Sequence, residues 1–336
     1  MTKLIVVVGA TGNQGGSVAR RFLKAGFRVR GLCRDVNSPA ALKLASEGVE
    51  VVSVNLDDAS TLIPAFSGAN VIFSVTNYWE PFFRPDYREK AKERGISPRK
   101  IAYEVEYLHG KNIADAAAAT VDTLDENGFL ASTLSHAGKC SDGKFKELYH
   151  FDSKADAFPA YVDERYPALA AKMSCIHTGY FYTSYNILPS CYLGKLPDGS
   201  FRMAFTTAPD KVVPHFAPAA DMGAFTYAVH QMPPGKAYMA AGTFCTWPEW
   251  IETWSRVTGA AASYAQVPYE EMVSAVGEDE LGREVADMFT YTSDPGYDGA
   301  MDLLTAEDIR KAGIECPMTT WEEWARENDW TSVLGQ

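Results

Sequence analysis

Short apolar runs alternate with longer segments of helical character through the first half of the chain. That order is what a doubly wound fold with a parallel sheet requires. Residues 3–8, 28–33, 49–54, 71–75, 129–134 and 173–178 are the strand candidates. Helices are expected over 14–25, over 38–46 behind Ser38 and Pro39, around 59–66, and over 110–127, where the stretch from Gly110 to Ala119 is rich in strong helix formers. Another is expected to start near Ser153 and reach the Glu164 region. Beyond about residue 180, Pro189, Pro197, Pro209, Pro214 and Pro218 break the chain into loops and short strands. Helical signals return at 221–231, 247–258 and 269–276, with a last pair near 305–312 and 319–327. Thr246 and Thr319 are each followed three residues later by a glutamate, as at capped helix starts. The pattern predicts an α/β protein with a Rossmann-type doubly wound parallel sheet and a smaller C-terminal α+β substrate lobe. Residues 1–183, with 219–245 returning, are assigned to the sheet domain; 184–218 and 246–336 are assigned to the lobe.

The most informative local pattern lies at the first strand-to-helix turn. An apolar strand ending at Val8 runs into Gly9, Ala10, Thr11, Gly12, Asn13, Gln14, Gly15 and Gly16, and then into a helix. In a turn of this kind Gly9 permits the tight bend, Gly12 lets backbone N–H groups approach a pyrophosphate, and Gly15 allows the helix to pack closely on the strand. A dinucleotide cofactor is therefore expected here. At the end of the second strand Cys33 stands where an acid would hold a ribose 2′-hydroxyl, and Arg34 follows. A guanidinium there can pair with a 2′-phosphate, which favours NADP(H); the plainer reading is that Arg34 and Asp35 form a solvated strand end. Asn55, Leu56 and Asp57 follow the third strand, where a polar group can hold adenine or simply cap the next helix. Thr76, Asn77, Tyr78 and Trp79 follow the fourth strand at the ligand-binding edge, where two aromatics beside an amide can flank a nicotinamide.

Composition narrows the functional classes. The 336 residues are 46% apolar, ordinary for a folded chain, and the net charge of −12 has no compensating basic block. Direct binding to nucleic acid or to an anionic membrane is disfavoured, so a regulatory role would need a protein partner. The six cysteines show no CxxC spacing and imply no metal site. With no signal peptide and no apolar run of membrane-spanning length, a cytoplasmic setting is expected.

The glycine turn, Arg34, the stretch from Thr76 to Glu80, the stretch from Gly110 to Asp115, the stretch from His150 to Lys154, the pair Tyr180 and Phe181, and Val257 to Gly259 together resemble the NmrA-like family, an atypical branch of the short-chain dehydrogenase/reductase superfamily. The resemblance implies an NADP(H)-binding Rossmann domain with a smaller lobe closing a cleft over the nicotinamide. It also implies one of two activities: reduction of small aromatic or heterocyclic molecules, or non-catalytic redox sensing through a protein partner. Reductases of the wider superfamily use Tyr-x-x-x-Lys, and here His150 stands at the tyrosine position while Lys154 remains for the ribose contact. His150 can act as an acid near neutral pH or simply pack. His136, at the end of the fifth strand with Ser132, Thr133 and Ser135, is a candidate for orienting a reacting carbonyl. Tyr180, Tyr182 and Tyr185 suit a flat apolar ligand or serve as glue between lobes. The charged segment carrying Arg84, Arg88, Glu104 and Glu106 can fold as a lid offering charge recognition, or as a solvated helical face. The expected function is hydride transfer from NADP(H) to an imine, iminium or carbonyl carbon, with iminium ring closure as a variant and the sensor as the competing class.

Overall fold

The computed structural model describes residues 2–335. Seven strands, β1 (Leu4–Val8), β2 (Arg28–Cys33), β3 (Glu50–Ser53), β4 (Val71–Ser74), β5 (Phe129–Thr133), β6 (Met173–Thr178) and β7 (Ala237–Ala240), form one parallel sheet in the order β7-β6-β5-β4-β1-β2-β3. β1, β4, β5 and β6 are buried at every position, which is why they read as continuous apolar or small-residue runs rather than as alternating ones. The direction of strand addition reverses between β1 and β4. In open α/β sheets a crevice for ligand opens at that point, beyond the carboxyl ends of the strands.

Helices cover both faces. α1 (Asn13–Lys24) packs against the helix Pro218–His230 at a close crossing: a Cβ on Gly223 would lie 2.3 Å from the carbonyl oxygen of Ser17, and Gly223 N–H donates to Ser17 Oγ at 2.9 Å. α2 (Pro39–Ser46) starts on Ser38, whose Oγ accepts from Ala41 N–H, and α3 (Ala59–Phe66) starts on Asp58, which accepts from Ser60 N–H.

The helix expected over 110–127 is displaced. It begins at Ser97, whose Oγ accepts from Lys100 N–H ahead of Pro98, and runs as α6 (Pro98–Ala118). Gly110 lies mid-helix because a Cβ there would meet the Ala157 Cβ at 2.4 Å. The charged segment before it is therefore no loose lid: it forms α4 (Trp79–Phe83), α5 (Pro85–Glu93) and the first half of α6. The helix expected from Ser153 starts four residues earlier as Tyr149–Ala155 and stops before Phe158, whose backbone is extended ahead of Pro159.

The C-terminal region adds two three-stranded sheets, one of Tyr180–Phe181, Val213–Phe216 and Thr243–Cys245, the other of Gly194–Lys195, Phe201–Phe205 and Ala262–Gln266. Its core is aromatic. Phe205 stacks on Phe289 with centroids 3.9 Å apart, and Trp250 stacks on Trp321 at 3.9 Å. Each such ring contributes about 1.5–3 kcal/mol by burial. Helices Trp247–Thr258 and Tyr269–Val276 match their expected spans. The last capping box sits one residue later than expected, on Thr320 with Glu323. The helix Asp279–Tyr291 has no counterpart among the expected elements. Nor is the expected lobe continuous over 246–336: Leu304 bridges Tyr238 beside β7, and Ala306, Ile309 and Cys316 join the core beneath the large sheet. Among the described residues no helix is long and apolar enough to cross a membrane.

Candidate functional site

A cleft of about 570 Å³ runs along the carboxyl ends of β1, β2, β4, β5 and β6, and the glycine turn forms its floor. Gly9 adopts φ +64°, a conformation that favours glycine, and its carbonyl accepts from Gly12 N–H at 3.0 Å. A Cβ on Gly15 would lie 2.3 Å from that same carbonyl oxygen, so the closeness of α1 to the turn depends on glycine. Gly12 caps α1 with no side-chain acceptor, and no acid stands in the first turn. The N–H groups of Asn13, Gln14 and Gly15 are left without helical acceptors, beside Thr11 in the cleft wall, and they meet the requirement of a pyrophosphate for donors and for the positive end of a helix dipole. Gln14 is oriented by Ser132, whose Oγ donates to Gln14 Oε1 at 2.8 Å.

At the outer end Arg34 lies in the cleft wall next to Cys33, and its Nη1 donates to Glu80 Oε1 at 2.6 Å. Burial and nearby Asp35 push the Cys33 thiol up. Asn55, Leu56 and Asp57 also line this end. Two residues of α6 outside the expected site set hold this turn: His109 Nε2 lies 2.8 Å from Asp57 Oδ1, and Asn112 Nδ2 donates to the Leu56 carbonyl at 2.7 Å.

The inner end carries two buried carboxylates with different tasks. Glu106, fully buried, accepts from Thr76 Oγ1 at 2.7 Å, from Ser153 Oγ and from Lys154 Nζ. It was expected among the substrate contacts, but the structure puts it beneath the cleft wall, where it anchors Lys154. Glu284, equally buried, accepts from the backbone N–H of His150 at 2.8 Å, and its Oε1 lies 2.7 Å from His150 Nδ1. Arg99 Nη1 stands 3.5 Å from Glu284 Oε2 and keeps the carboxylate paired. Nδ1 then carries the ring hydrogen toward Glu284. His150 Nε2 has no partner among the described residues, in a ring that lines the cleft beside Lys154.

The facing wall is apolar and aromatic: Trp79, Tyr180, Tyr192 and Tyr297 meet Leu281, Val285 and Met288. Trp79 packs 5.0 Å from His150, and Tyr180 stacks on Phe289 with its hydroxyl bonded to Thr292. Asn77 accepts from Trp79 N–H at 3.1 Å, and Tyr78 is buried, with its hydroxyl donating to the Arg99 carbonyl. Burial pushes the Tyr78 phenol well above its ordinary range. Phe181 completes the expected cofactor set in the cleft.

Four other expected site residues lie elsewhere. His136 stands at the start of a short helix with Nδ1 3.1 Å from Asp152 and Nε2 3.2 Å from Asp156, outside the cleft. Burial alone would lower its pKa, but the two carboxylates raise it to about 9, so it is a structural cation rather than an orienting group. Arg88 donates to the Phe82 carbonyl and pairs with Glu278, tying α5 to the C-terminal region. Tyr182 packs on Trp321 and donates to the Thr319 carbonyl, and Tyr185 packs on Trp330; both are glue for the C-terminal core. The wall residues Leu281, Val285 and Met288 were missed along with their helix. Their spacing of four and three residues is a helical apolar face within a charged stretch, and it is the signal that could have found them.

An open parallel sheet with a glycine turn at its switch point and a ligand cleft on its carboxyl edge defines a Rossmann-type α/β protein. The NmrA-like family model matches residues 1–325, and the chain belongs to that family. It is 28% identical over 318 residues to the NmrA-like family domain-containing oxidoreductase FrzB of Cladobotryum sp., spanning 88% of this chain and 85% of the relative. It is 25% identical over 353 residues to the corresponding oxidoreductase cpsB of Aspergillus campestris, across 96% of each. Its fold is similar to that of NmrA, a negative transcriptional regulator solved in complex with NAD, with TM-score 0.71, 20% identity and coverage of 97% of this chain and 95% of that one. It is also similar to the NADPH-dependent quinone oxidoreductase QOR2 of Escherichia coli complexed with NADPH, with TM-score 0.67, 19% identity and coverage of 96% and 98%.

Proposed function

We propose that the protein is an NADP(H)-dependent oxidoreductase acting on a small, hydrophobic aromatic or heterocyclic metabolite at a C=N or C=O carbon. The carrying observation is the His150 ring, held on its Nδ1 side by Glu284 beside Lys154 in an open aromatic cleft. The glycine turn and the start of α1 receive the pyrophosphate, Arg34 the 2′-phosphate, and Asn55 to Asp57 the adenine end. Structures of this fold in complex with NADP and with NADPH support the choice. When bound, the reduced nicotinamide supplies a hydride, two electrons and one hydrogen, to the electrophilic carbon.

The chain's own groups do the rest. Lys154, fixed by Glu106, holds the nicotinamide ribose. Entering the step doubly protonated, the His150 ring gives its Nε2 proton to a carbonyl oxygen as that oxygen gains charge and keeps its Nδ1 hydrogen on Glu284, which stabilises the ring while it is cationic. An iminium carbon needs no such proton, because nitrogen keeps the electron pair released from the C=N bond. Ring closure of an iminium by an internal nucleophile uses the same histidine as base. The apolar wall excludes water and selects flat ligands. A sensor without turnover has less use for an open aromatic cleft beside a poised histidine.

Calorimetry with NADPH and NADP⁺, followed by NADPH absorbance during a screen of cyclic imines, iminium compounds and aromatic aldehydes, tests the reading. Substrate-dependent NADPH loss that disappears in Lys154→Ala is the expected result. Tight nucleotide binding with no product from any compound by mass spectrometry would overturn it in favour of the sensor.

A further inference from the structure

Two guanidinium groups from different elements converge on one carboxylate oxygen at the outer end of the cleft. Arg34 Nη1, from the end of β2, lies 2.6 Å from Glu80 Oε1, and Arg84 Nη1, from the loop after α4, lies 3.5 Å from the same atom. All three residues line the cleft. Arg84 is held from behind by Asp86, which takes its Nε and Nη2 at 2.9 and 2.6 Å and leaves Nη1 facing Glu80. Arg34 uses only Nη1, so its Nε and Nη2 have no side-chain or backbone acceptor among the described residues. Its backbone is pinned where it stands, because its carbonyl accepts from Ser53 Oγ at 2.9 Å.

We infer that Arg84 is the second ligand of the cofactor 2′-phosphate and that Glu80 is an internal anion which occupies the clamp until that phosphate displaces it. The inference rests on the cofactor reading above and adds two residues to it. The physical argument is one of competition. Glu80 presents a single charge to two cations, in a pair open enough to solvent for its net worth to be small. A 2′-phosphate presents nearly two charges and three acceptor oxygens, which suits two guanidinium groups arriving from different directions. NAD⁺ has a hydroxyl at that place and cannot displace Glu80. Cys33, neutral where a ribose-binding acid would stand, offers that hydroxyl no compensating acceptor. Discrimination thus comes from what Glu80 withholds as well as from what the arginines supply.

Calorimetric Kd values for NADP⁺ and NAD⁺ on the full chain, for the wild type, Arg34→Ala, Arg84→Ala and Glu80→Gln, test this directly. Arg84→Ala is expected to raise the Kd for NADP⁺ about tenfold, as for loss of one charge-assisted contact, and to leave NAD⁺ within about twofold. Glu80→Gln is expected to lower the Kd for NADP⁺, because the competitor loses its charge. Arg84→Gln and a thermal melt of each variant control for folding. Arg84→Ala binding both nucleotides as the wild type does, or weakening both equally, would overturn the inference. So would Glu80→Gln weakening NADP⁺. In each of those cases a wild type that binds NADP⁺, with Arg34→Ala impaired, leaves the cofactor reading standing. A wild type that binds neither nucleotide overturns both.

Discussion

Glu284 accepts from His150 twice, at the backbone N–H and at the ring, although the two residues lie 134 positions apart and belong to different parts of the fold. The carboxylate comes from the helix Asp279–Tyr291, and the histidine opens the helix that carries Lys154. Docking the C-terminal region on the sheet therefore does more than close the cleft. It fixes which imidazole nitrogen faces it, the service an orienting acid performs for a catalytic histidine.

Replacing either member separates substrate classes. His150→Gln is expected to slow carbonyl reduction by about 10²–10⁴-fold, the usual worth of a positioned general acid, and to slow iminium reduction much less. Glu284→Gln should cost about 10–100-fold on the carbonyl substrate while the NADPH Kd stays unchanged. Steady-state kinetics on a matched aldehyde and iminium pair checks this, and equal losses on both would remove His150 as proton donor.

The Glu106 carboxylate is fully buried and receives Thr76, Ser153 and Lys154. Glu106→Ala takes the carboxylate partner from Lys154 and an acceptor from Thr76 and Ser153, and it should lower the unfolding free energy by about 3 kcal/mol. Glu106→Gln keeps the acceptor oxygen and should lose less. Urea denaturation monitored by circular dichroism gives the order, and Glu106→Ala as stable as wild type would contradict the network.

His136 makes stability depend on pH. Its folded pKa of about 9 lies above the ordinary value of 6.5, so the protonated ring binds its proton more tightly when folded. The stabilisation is complete below about pH 6.5 and is lost as the pH rises through 9. Allowing for partial exposure of the ring, the loss should be about 1–2 kcal/mol. Urea midpoints at either end of that window should fall for wild type and stay flatter for His136→Gln; parallel slopes would refute the assignment.

Gly15→Ala places a methyl 2.3 Å from the Gly9 carbonyl oxygen. The turn and α1 must separate, at a cost of about 1–3 kcal/mol, and the N–H groups of Asn13 and Gln14 shift with them. A lower melting temperature together with weaker NADP⁺ and NAD⁺ binding is expected. Loss of stability with both affinities intact would show that this turn is not where the pyrophosphate sits.

The features legible in the sequence are those carried by neighbours along the chain. The apolar run into Gly9, the caps at Ser38 and Thr246, and the span Trp247–Thr258 all follow from local propensity and spacing. The strand Ala237–Ala240 was harder to see, because four residues carry little periodicity of their own and acquire their state by pairing with β6. The strong helix formers that mark this helix in the sequence begin at Gly110, whereas α6 begins at Pro98, and only the Ala157 methyl packed against Gly110 shows why glycine stands inside a helix.

The sequence by itself determined the sheet class and the glycine turn, since each depends on residues within a few places of one another. The tertiary structure alone decided that His150 meets Glu284, that Glu106 supports rather than lines the cleft, and that Tyr182 and Tyr185 turn into the C-terminal core. Side-chain direction in those cases is set by partners 30 or more residues away. A buried carboxylate or ring settles wherever its polar atoms find donors and its apolar surface leaves water, and no local pattern encodes that place.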